Sequence, residues 1–158
     1  MFQIILYQPE IPPNTGNIIR LIANTGASLH LIEPLGFDLD EKKVRRAGLD
    51  YHELSQVTRW PDWSSFQQHF QTHHPDNVLY GFTTKGSKHY HQAEFRAGDG
   101  LLFGPETRGL PADLLEKLPV NQKLRLPMQS NSRSLNLSNT VAIALYEAFR
   151  QNEFPDLL

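Results

Sequence analysis

The sequence contains no cysteine among its 158 residues, which excludes disulfide bonds and thiolate metal sites. Long apolar runs are also absent, since no stretch approaches the ~20 apolar residues that span a bilayer. The opening segment, residues 1–7, is too short for a signal peptide with its cleavage site. We therefore expect a soluble protein of the cytoplasm that does not enter a membrane.

The sequence also lacks an excess of charge of one sign. Lys and Arg number 15 against 17 Asp and Glu, for a formal net charge of −2. Because nothing in this balance attracts a polyanion, any nucleic acid must be held by local patches. The apolar content of 39% and the charged content of 20% are those of an ordinary globular protein. The length predicts a single domain over residues 1–158.

Several common signatures of catalysis and cofactor binding are missing. Neither the G-x-G-x-x-G spacing nor a Walker A lysine pattern follows the first apolar run, which disfavours dehydrogenases and P-loop proteins. No G-x-S-x-G element of serine hydrolases occurs. The seven histidines include the neighbours His73 and His74, but no carboxylate lies at a helpful spacing. We therefore predict no metal site.

Apolar runs and helical periods alternate along the chain. Continuous apolar runs predict buried strands at residues 2–7, 29–32, 78–82 and 100–103, with a further strand ending before Pro127. Helical spacing predicts helices at residues 14–26, 40–47, 61–73, 111–118 and 137–150. Residues 85–98 are the least regular stretch and are expected to be surface loop with a short strand or turn. The alternation predicts an α/β fold, with a mainly parallel sheet and helices on both faces.

Two stiff polar loops follow predicted strands. Residues 104–111 contain two glycines and two prolines, and residues 126–138 are rich in Ser, Asn and Gln. The second loop leads into the last helix, with Asn136 or Ser138 as its N-cap. One such loop alone would be an ordinary connection. Because ligands bind at the carboxyl ends of parallel strands, the two loops together predict a cradle for a small polar ligand.

Basic residues in two places are candidates for contacts to nucleic acid. Arg20 lies among apolar positions of the first helix, where it is either a surface side chain in an ion pair or a functional group. Arg45 and Arg46 follow two lysines, in either the solvated face of a helix or a phosphate-contacting patch. Tyr51 and His52 follow closely, and such aromatic residues suit a splayed RNA base.

Three ordered motifs resemble those of the SPOUT superfamily of RNA methyltransferases. They are Asn14-x-Gly16-x-x-x-Arg20, Phe103-Gly104-Pro105-Glu106-x-x-Gly109 and Arg133-Ser134-Leu135-Asn136-Leu137-Ser138. Three motifs in this order are far more specific than any one of them. The sequence is most similar to the smallest members, the tRNA wobble-nucleotide (cytidine/uridine) 2′-O-methyltransferases of TrmL/YibK type, and the similarity extends almost from end to end.

The resemblance implies a SPOUT fold whose C-terminal segment forms a trefoil knot, with S-adenosylmethionine bound in the knotted loops. It implies a homodimer in which Arg20 of one chain meets the cofactor of the other. No separate RNA-binding domain is present, so the dimer surface itself is expected to bind tRNA. Matched position by position, the implied cofactor-binding residues are Phe82, Thr83, Gly104, Glu106, Leu126 and Ser134.

The resemblance also implies the remaining site residues. The catalytic candidates are Arg20, Ser134, Asn136 and Tyr146, and the substrate-binding candidates are Asn14, Arg45, Arg46 and Arg133. Tyr146 has an equal alternative as a core aromatic. Arginine normally stays protonated, so Arg20 either orients the ribose hydroxyl or activates it, and the proton acceptor stays open.

The implied reaction is 2′-O-methylation of the wobble pyrimidine of tRNA, in particular of leucine tRNAs. Two alternatives remain open: a methyltransferase of the same fold that acts on another RNA, and a non-catalytic RNA-binding dimer. The presence of Arg20, Glu106, Ser134 and Asn136 disfavours the non-catalytic dimer.

Overall fold

The structure, a computed structural model, describes residues 1–50 and 52–158, with the side chain of Glu41 left out. The predicted base contact at Tyr51 lies outside the described residues. The strands are β1 (Gln3–Tyr7), β2 (Ser28–Ile32), β3 (Val57–Trp60), β4 (Leu79–Phe82), β5 (Lys88–His89), β6 (Gly100–Phe103) and β7 (Lys123–Arg125). The helices are α1 (Pro12–Thr25), α2 (Glu41–Arg46), α3 (Trp63–His73), α4 (Ala112–Glu116) and α5 (Leu137–Gln151).

The strands form one sheet in the order β3-β2-β1-β6-β4-β7-β5, and every registered pair is parallel. Side chains alternate between its two faces along each strand. On β1, Ile4 and Leu6 join a core cluster that contains residues of α1 and α5, whereas Ile5 joins a second cluster with residues of α3 and α4. Helices therefore cover both faces, and the predicted α/β fold with a parallel sheet is confirmed.

Capping residues set the helix boundaries. Helix α1 begins at Pro12, two residues earlier than predicted, because prolines fit the first turn of a helix, where their missing N–H is not needed. It ends as predicted at Gly26, whose φ of 73° is the left-handed conformation that glycine favours. Helix α3 begins after Asp62, whose carboxylate accepts a hydrogen bond from the backbone N–H of Ser65. The predicted start at residue 61 is thus close but early.

One of the two edges of the sheet differs from the sequence prediction. Strand β3 was not predicted, because its four residues are only partly buried or exposed and include a threonine and an arginine. Strand β5 is two residues long and agrees with the short strand or turn expected within residues 85–98. Edge strands have neighbours on one side only, so they lack the continuous apolar run that marks a central strand. Within the described ranges, no helix is long and apolar enough to cross a membrane.

Candidate active site

A cavity of about 480 Å³ lies at the carboxyl end of the sheet, between the loops that follow β4, β6 and β7. Its size is within the usual range of small-molecule sites. Its lining includes all six residues predicted to bind the cofactor, which are Phe82, Thr83, Gly104, Glu106, Leu126 and Ser134, and also Asn14 and Asn136. The two polar loops predicted to form a cradle therefore do meet around one cavity.

Aromatic and aliphatic side chains at the strand ends form the apolar part of this cavity. Phe82 of β4 is paired in register with Phe103 of β6 and with Leu124 of β7. The rings of Phe82 and Phe103 are stacked, with centroids 4.7 Å apart and planes 19° apart. These side chains are buried, which gives the cavity a rigid apolar surface suited to a flat ring.

The loop after β6 folds back so tightly that only glycine fits at its first position. A Cβ atom on Gly104 would lie 2.3 Å from the backbone N of Leu110 and 2.4 Å from the carbonyl carbon of Gly109. Gly109 has a φ of 67°, which side-chain-bearing residues rarely adopt. The two glycines thus allow the start and the end of this loop to lie against each other beside the cavity.

Glu106 ties this loop to the loop that follows β1. Its carboxylate accepts hydrogen bonds from the backbone N–H groups of Glu10, at 2.7 Å, and Ile11, at 3.1 Å. In return, the carboxylate of Glu10 accepts bonds from the N–H and the hydroxyl of Thr107, at 3.0 and 2.8 Å. The backbone bond from Thr107, followed by the hydroxyl bond, lowers the pKa of Glu10. Each loop therefore fixes the shape of the other.

Two asparagines extend this connection to the last helix. The side-chain amide of Asn14 donates to Glu106 at 3.4 Å, and its Oδ1 accepts a bond from Asn136 at 3.0 Å. The Oδ1 of Asn136 caps α5 by accepting from the backbone N–H of Ser138 at 2.9 Å, which confirms Asn136 as the N-cap. A continuous chain of hydrogen bonds, Glu106–Asn14–Asn136, thus joins the three sequence motifs.

The remaining predicted site residues do not line the cavity of their own chain. Arg20 is exposed on α1, where its guanidinium donates to the carbonyl of Gly48 at 2.9 Å and lies 3.5 Å from the carboxylate of Glu53. Tyr146 is 47% exposed on α5, which excludes the alternative of a core aromatic. Arg45, Arg46 and Arg133 are also exposed. All five side chains are therefore exposed to solvent and do not contribute to the lining of the cavity.

Sequence reasoning missed several residues of the cavity lining. Lys85, Arg108, Arg125 and Met128 contribute to it. The Nε atom of Arg125 is buried and has no hydrogen-bond partner in the part of the chain that the structure describes. Lys85 could have been found, because Thr83-Thr84-Lys85-Gly86 directly follows a predicted strand. Arg125 was harder to find, because its strand β7 is three residues long with one buried side chain. Among the described residues, no cluster of three or more potential metal ligands is found.

Comparison with known proteins was made for both sequence and structure. The family described as SpoU rRNA Methylase matches residues 1–146. A tRNA (cytidine(34)-2′-O)-methyltransferase of Aeromonas hydrophila is 58% identical over 151 residues, which cover 96% of this chain and 94% of the relative. A solved structure concerning the 2-OH methylation of C/U34 on tRNA has a TM-score of 0.87 and 42% identity, with 97% of each chain covered.

A more distant structural neighbour contains a bound ligand. The methyltransferase AviRb of Streptomyces viridochromogenes, in complex with AdoMet, has a TM-score of 0.82 and 26% identity. The match covers 96% of this chain but only 60% of AviRb. The likeness therefore spans nearly all of this chain and only part of AviRb.

Proposed function

Because the chain belongs to the SpoU rRNA methylase family, we propose that it is an S-adenosylmethionine-dependent enzyme that methylates the ribose 2′-oxygen of the wobble pyrimidine of tRNA. The Aeromonas relative, similar over nearly its whole length, is named for this reaction at cytidine 34. The observation in the structure that supports it best is the hydrogen-bond chain Glu106–Asn14–Asn136, which holds three loops around one cavity. Leucine tRNAs are the proposed substrates within this class.

The cavity fits the proposed cofactor. The stacked Phe82 and Phe103 offer an apolar surface to an adenine ring, and the close turn at Gly104 leaves backbone polar groups beside it. Thr83, Leu126 and Ser134 would contact the cofactor from the other two loops. Glu106 holds the β6 loop against the β1 loop, and Asn136 caps α5 at the end of the loop after β7. When bound, S-adenosylmethionine supplies an activated methyl group.

The chain's own residues align the reaction. Methyl transfer to a ribose hydroxyl is an in-line displacement, so correct placement of the hydroxyl is the main requirement, and positioning supplies up to ~7 to 11 kcal/mol in the best cases. The planar guanidinium of Arg20 presents several N–H donors in a fixed geometry, which suits it to orient the hydroxyl and the adjoining phosphate. Arg45, Arg46 and Arg133 would contact the RNA backbone, and Tyr146 would approach the target nucleotide.

This assignment requires a homodimer, because Arg20 lies outside the cavity of its own chain. In the proposed dimer, Arg20 and Tyr146 of one protomer face the cavity of the other. We further propose that residues 1–158 form one domain and that the chain segment from β7 to α5 passes through a loop to form a trefoil knot. The close approach of Gly86 to β7 supports this threading, since a Cβ there would lie 2.7 Å from the carbonyl carbon of Leu124. The proposed place of action is the cytoplasm.

The test is methyl transfer from labelled S-adenosylmethionine to total tRNA from a strain that lacks this gene, followed by nucleoside mapping. Label on a wobble 2′-oxygen is the expected result. Methyl label in another RNA would indicate the alternative substrate. A purified protein that binds RNA but does not bind the cofactor would indicate the non-catalytic dimer.

A variant separates catalysis from binding. Arg20→Ala is expected to reduce transfer at least ~100-fold while tRNA is still retained, because the loss of a positioned catalytic group costs about 10² to 10⁴ in rate. Arg96→Ala is the matched control. Arg96 is also exposed, but it precedes the start of β6 and so lies at the amino end of the strands, opposite the cavity. Normal methylation by Arg20→Ala would contradict the catalytic assignment.

A further inference from the structure

A second groove, of about 500 Å³, opens beside the cavity at the same carboxyl end of the sheet. The two share part of their lining, including Lys85, Arg108 and Leu110. The groove alone is lined by Tyr7 and Gln8 at the end of β1 and by Lys123 at the start of β7. None of the motifs discussed above explains this second set of residues.

The groove concentrates positive charge in a chain whose net charge is −2. Lys85, Arg108 and Lys123 line it, against a single carboxylate, that of Glu116. In the described part of the chain, the side-chain amines of Lys85 and Lys123 have no hydrogen-bond or ion-pair partner. Arg108 has only a distant one, since its Nε lies 3.9 Å from a carboxylate oxygen of Glu10. Two lysines without a partner and an arginine with only a distant one suit the phosphates of a nucleic acid.

An aromatic ring and a free amide complete the groove. The ring of Tyr7 packs edge-on against Trp63, with centroids 6.1 Å apart, which fixes its orientation. Gln8 has a φ of 48°, a conformation that residues other than glycine rarely adopt, and its backbone N–H is held by the carbonyl of Ile32 at 3.0 Å. Its side-chain amide has no partner among the described residues.

We propose that this groove binds the unpaired RNA strand next to the nucleotide that is methylated. The phosphates contact Lys85, Arg108 and Lys123, and a flanking base contacts Tyr7 and Gln8, which is the combination of cations and ring that single-stranded nucleic acids bind. Since Lys85 and Arg108 belong to both linings, the strand crosses their shared wall with the target nucleotide on the cavity side. This inference rests on the proposed function, because it requires an RNA substrate.

The test uses residues that line the groove but not the cavity. Lys123→Gln is expected to raise the Kd and KM for tRNA by about 3- to 10-fold and to reduce the slope of log Kd against log salt by about 0.7, the contribution of one phosphate contact in a single strand. The Kd for S-adenosylmethionine should not change. Lys117→Gln is the matched control, because Lys117 is an exposed lysine beyond α4 that lines neither site, and it should bind tRNA as the wild type does.

A second variant separates binding from stability. Gln8→Gly removes the amide and relieves the positive φ, so the melting temperature should not fall while RNA binding weakens about 3-fold. Wild-type Kd and salt slope in both Lys123→Gln and Gln8→Gly would overturn the proposal, and so would a raised cofactor Kd in Lys123→Gln. If the wild type methylates no wobble nucleotide but the groove variants still weaken RNA binding, the proposed function fails and the groove assignment stands. A wild type that binds no RNA overturns both.

Discussion

At the scale of single residues, His30 shows how a buried ring is held in one protonation state. Its Nε2 lies 2.8 Å from Oε1 of Gln3, and its Nδ1 accepts a hydrogen bond from the indole of Trp60 at 3.0 Å. A neutral imidazole satisfies both contacts, whereas a second ring proton would face the Trp60 N–H. Burial, reinforced by the charges of His69 and His74, lowers the pKa of His30 to about 4.

This low pKa makes stability depend on pH. Above pH 6.5 the His30 ring is neutral in both the folded and the unfolded chain, so its full contribution to the free energy of unfolding is present. As the pH falls from about 6.5 to 4, the unfolded chain binds a proton that the folded chain does not, and stability is lost. With a folded pKa of about 4 against an ordinary 6.5, the loss is about 3 kcal/mol. Urea unfolding at pH 7 and pH 4 measures it.

The comparison for this prediction is a pair of histidine variants. His30→Gln should lose the part of the pH dependence that belongs to this ring, although it is less stable at neutral pH. His52→Gln removes an exposed ring and should keep the wild-type profile. An unchanged difference between pH 7 and pH 4 in His30→Gln would show that other groups carry the acid sensitivity.

At the scale of elements, Glu106 holds the β6 loop against the β1 loop, and its two oxygens accept from two backbone N–H groups. The substitution Glu106→Gln keeps the shape of the side chain but leaves it one acceptor oxygen. The amide NH₂ that replaces the other oxygen then faces a backbone N–H donor. We expect a loss of about 1 kcal/mol in stability, because the N–H group that loses its acceptor is partly buried or exposed rather than fully buried. Cofactor affinity should fall about 10-fold, because 1.4 kcal/mol corresponds to a factor of ten.

Thermal unfolding and titration calorimetry check this expectation, with Glu94→Gln as the control. Glu94 is an exposed carboxylate before β6 and outside the cavity lining, so its variant should match the wild type. If Glu106→Gln binds the cofactor with wild-type affinity, the carboxylate does not hold the site together.

The same elements show what could be predicted from sequence. Central strands were found because they are buried on both faces. Helix α5 was found, with Asn136 as one of two candidate caps, because an apolar helical period follows. The edge strand β3 was missed because partial exposure removes the apolar run. The pairings of Glu106 with Glu10 and Asn14 could not be derived, since they join residues more than ninety positions apart. One uses the backbone N–H of Glu10, a donor that nearly every residue carries, and the other uses the side-chain amide of Asn14. Only the family resemblance brought these motifs together.

At the scale of the whole molecule, the proposed active site is incomplete in one chain. Arg20 is turned toward Gly48 and Glu53 rather than toward the cavity lining. Helix α5 also presents large apolar side chains to solvent, with Ile143 40% and Tyr146 47% exposed. A surface of this kind, which includes the proposed catalytic residue Tyr146, suits contact with a second copy of the chain.

Mixing two inactive variants tests this composite site. Arg20→Ala lacks the proposed catalytic group but keeps its cavity, whereas Gly104→Ala keeps Arg20 but places a Cβ 2.3 Å from the backbone N of Leu110. Each homodimer should be inactive. In a random mixture of equal amounts, each heterodimer joins one intact cavity to one intact Arg20, so about a quarter of all sites should be active. Co-expression with two different affinity tags, circular dichroism of each variant and a methylation assay measure this recovery. If Arg20 acted within its own chain, mixing would restore nothing, because neither chain would carry both the group and the cavity.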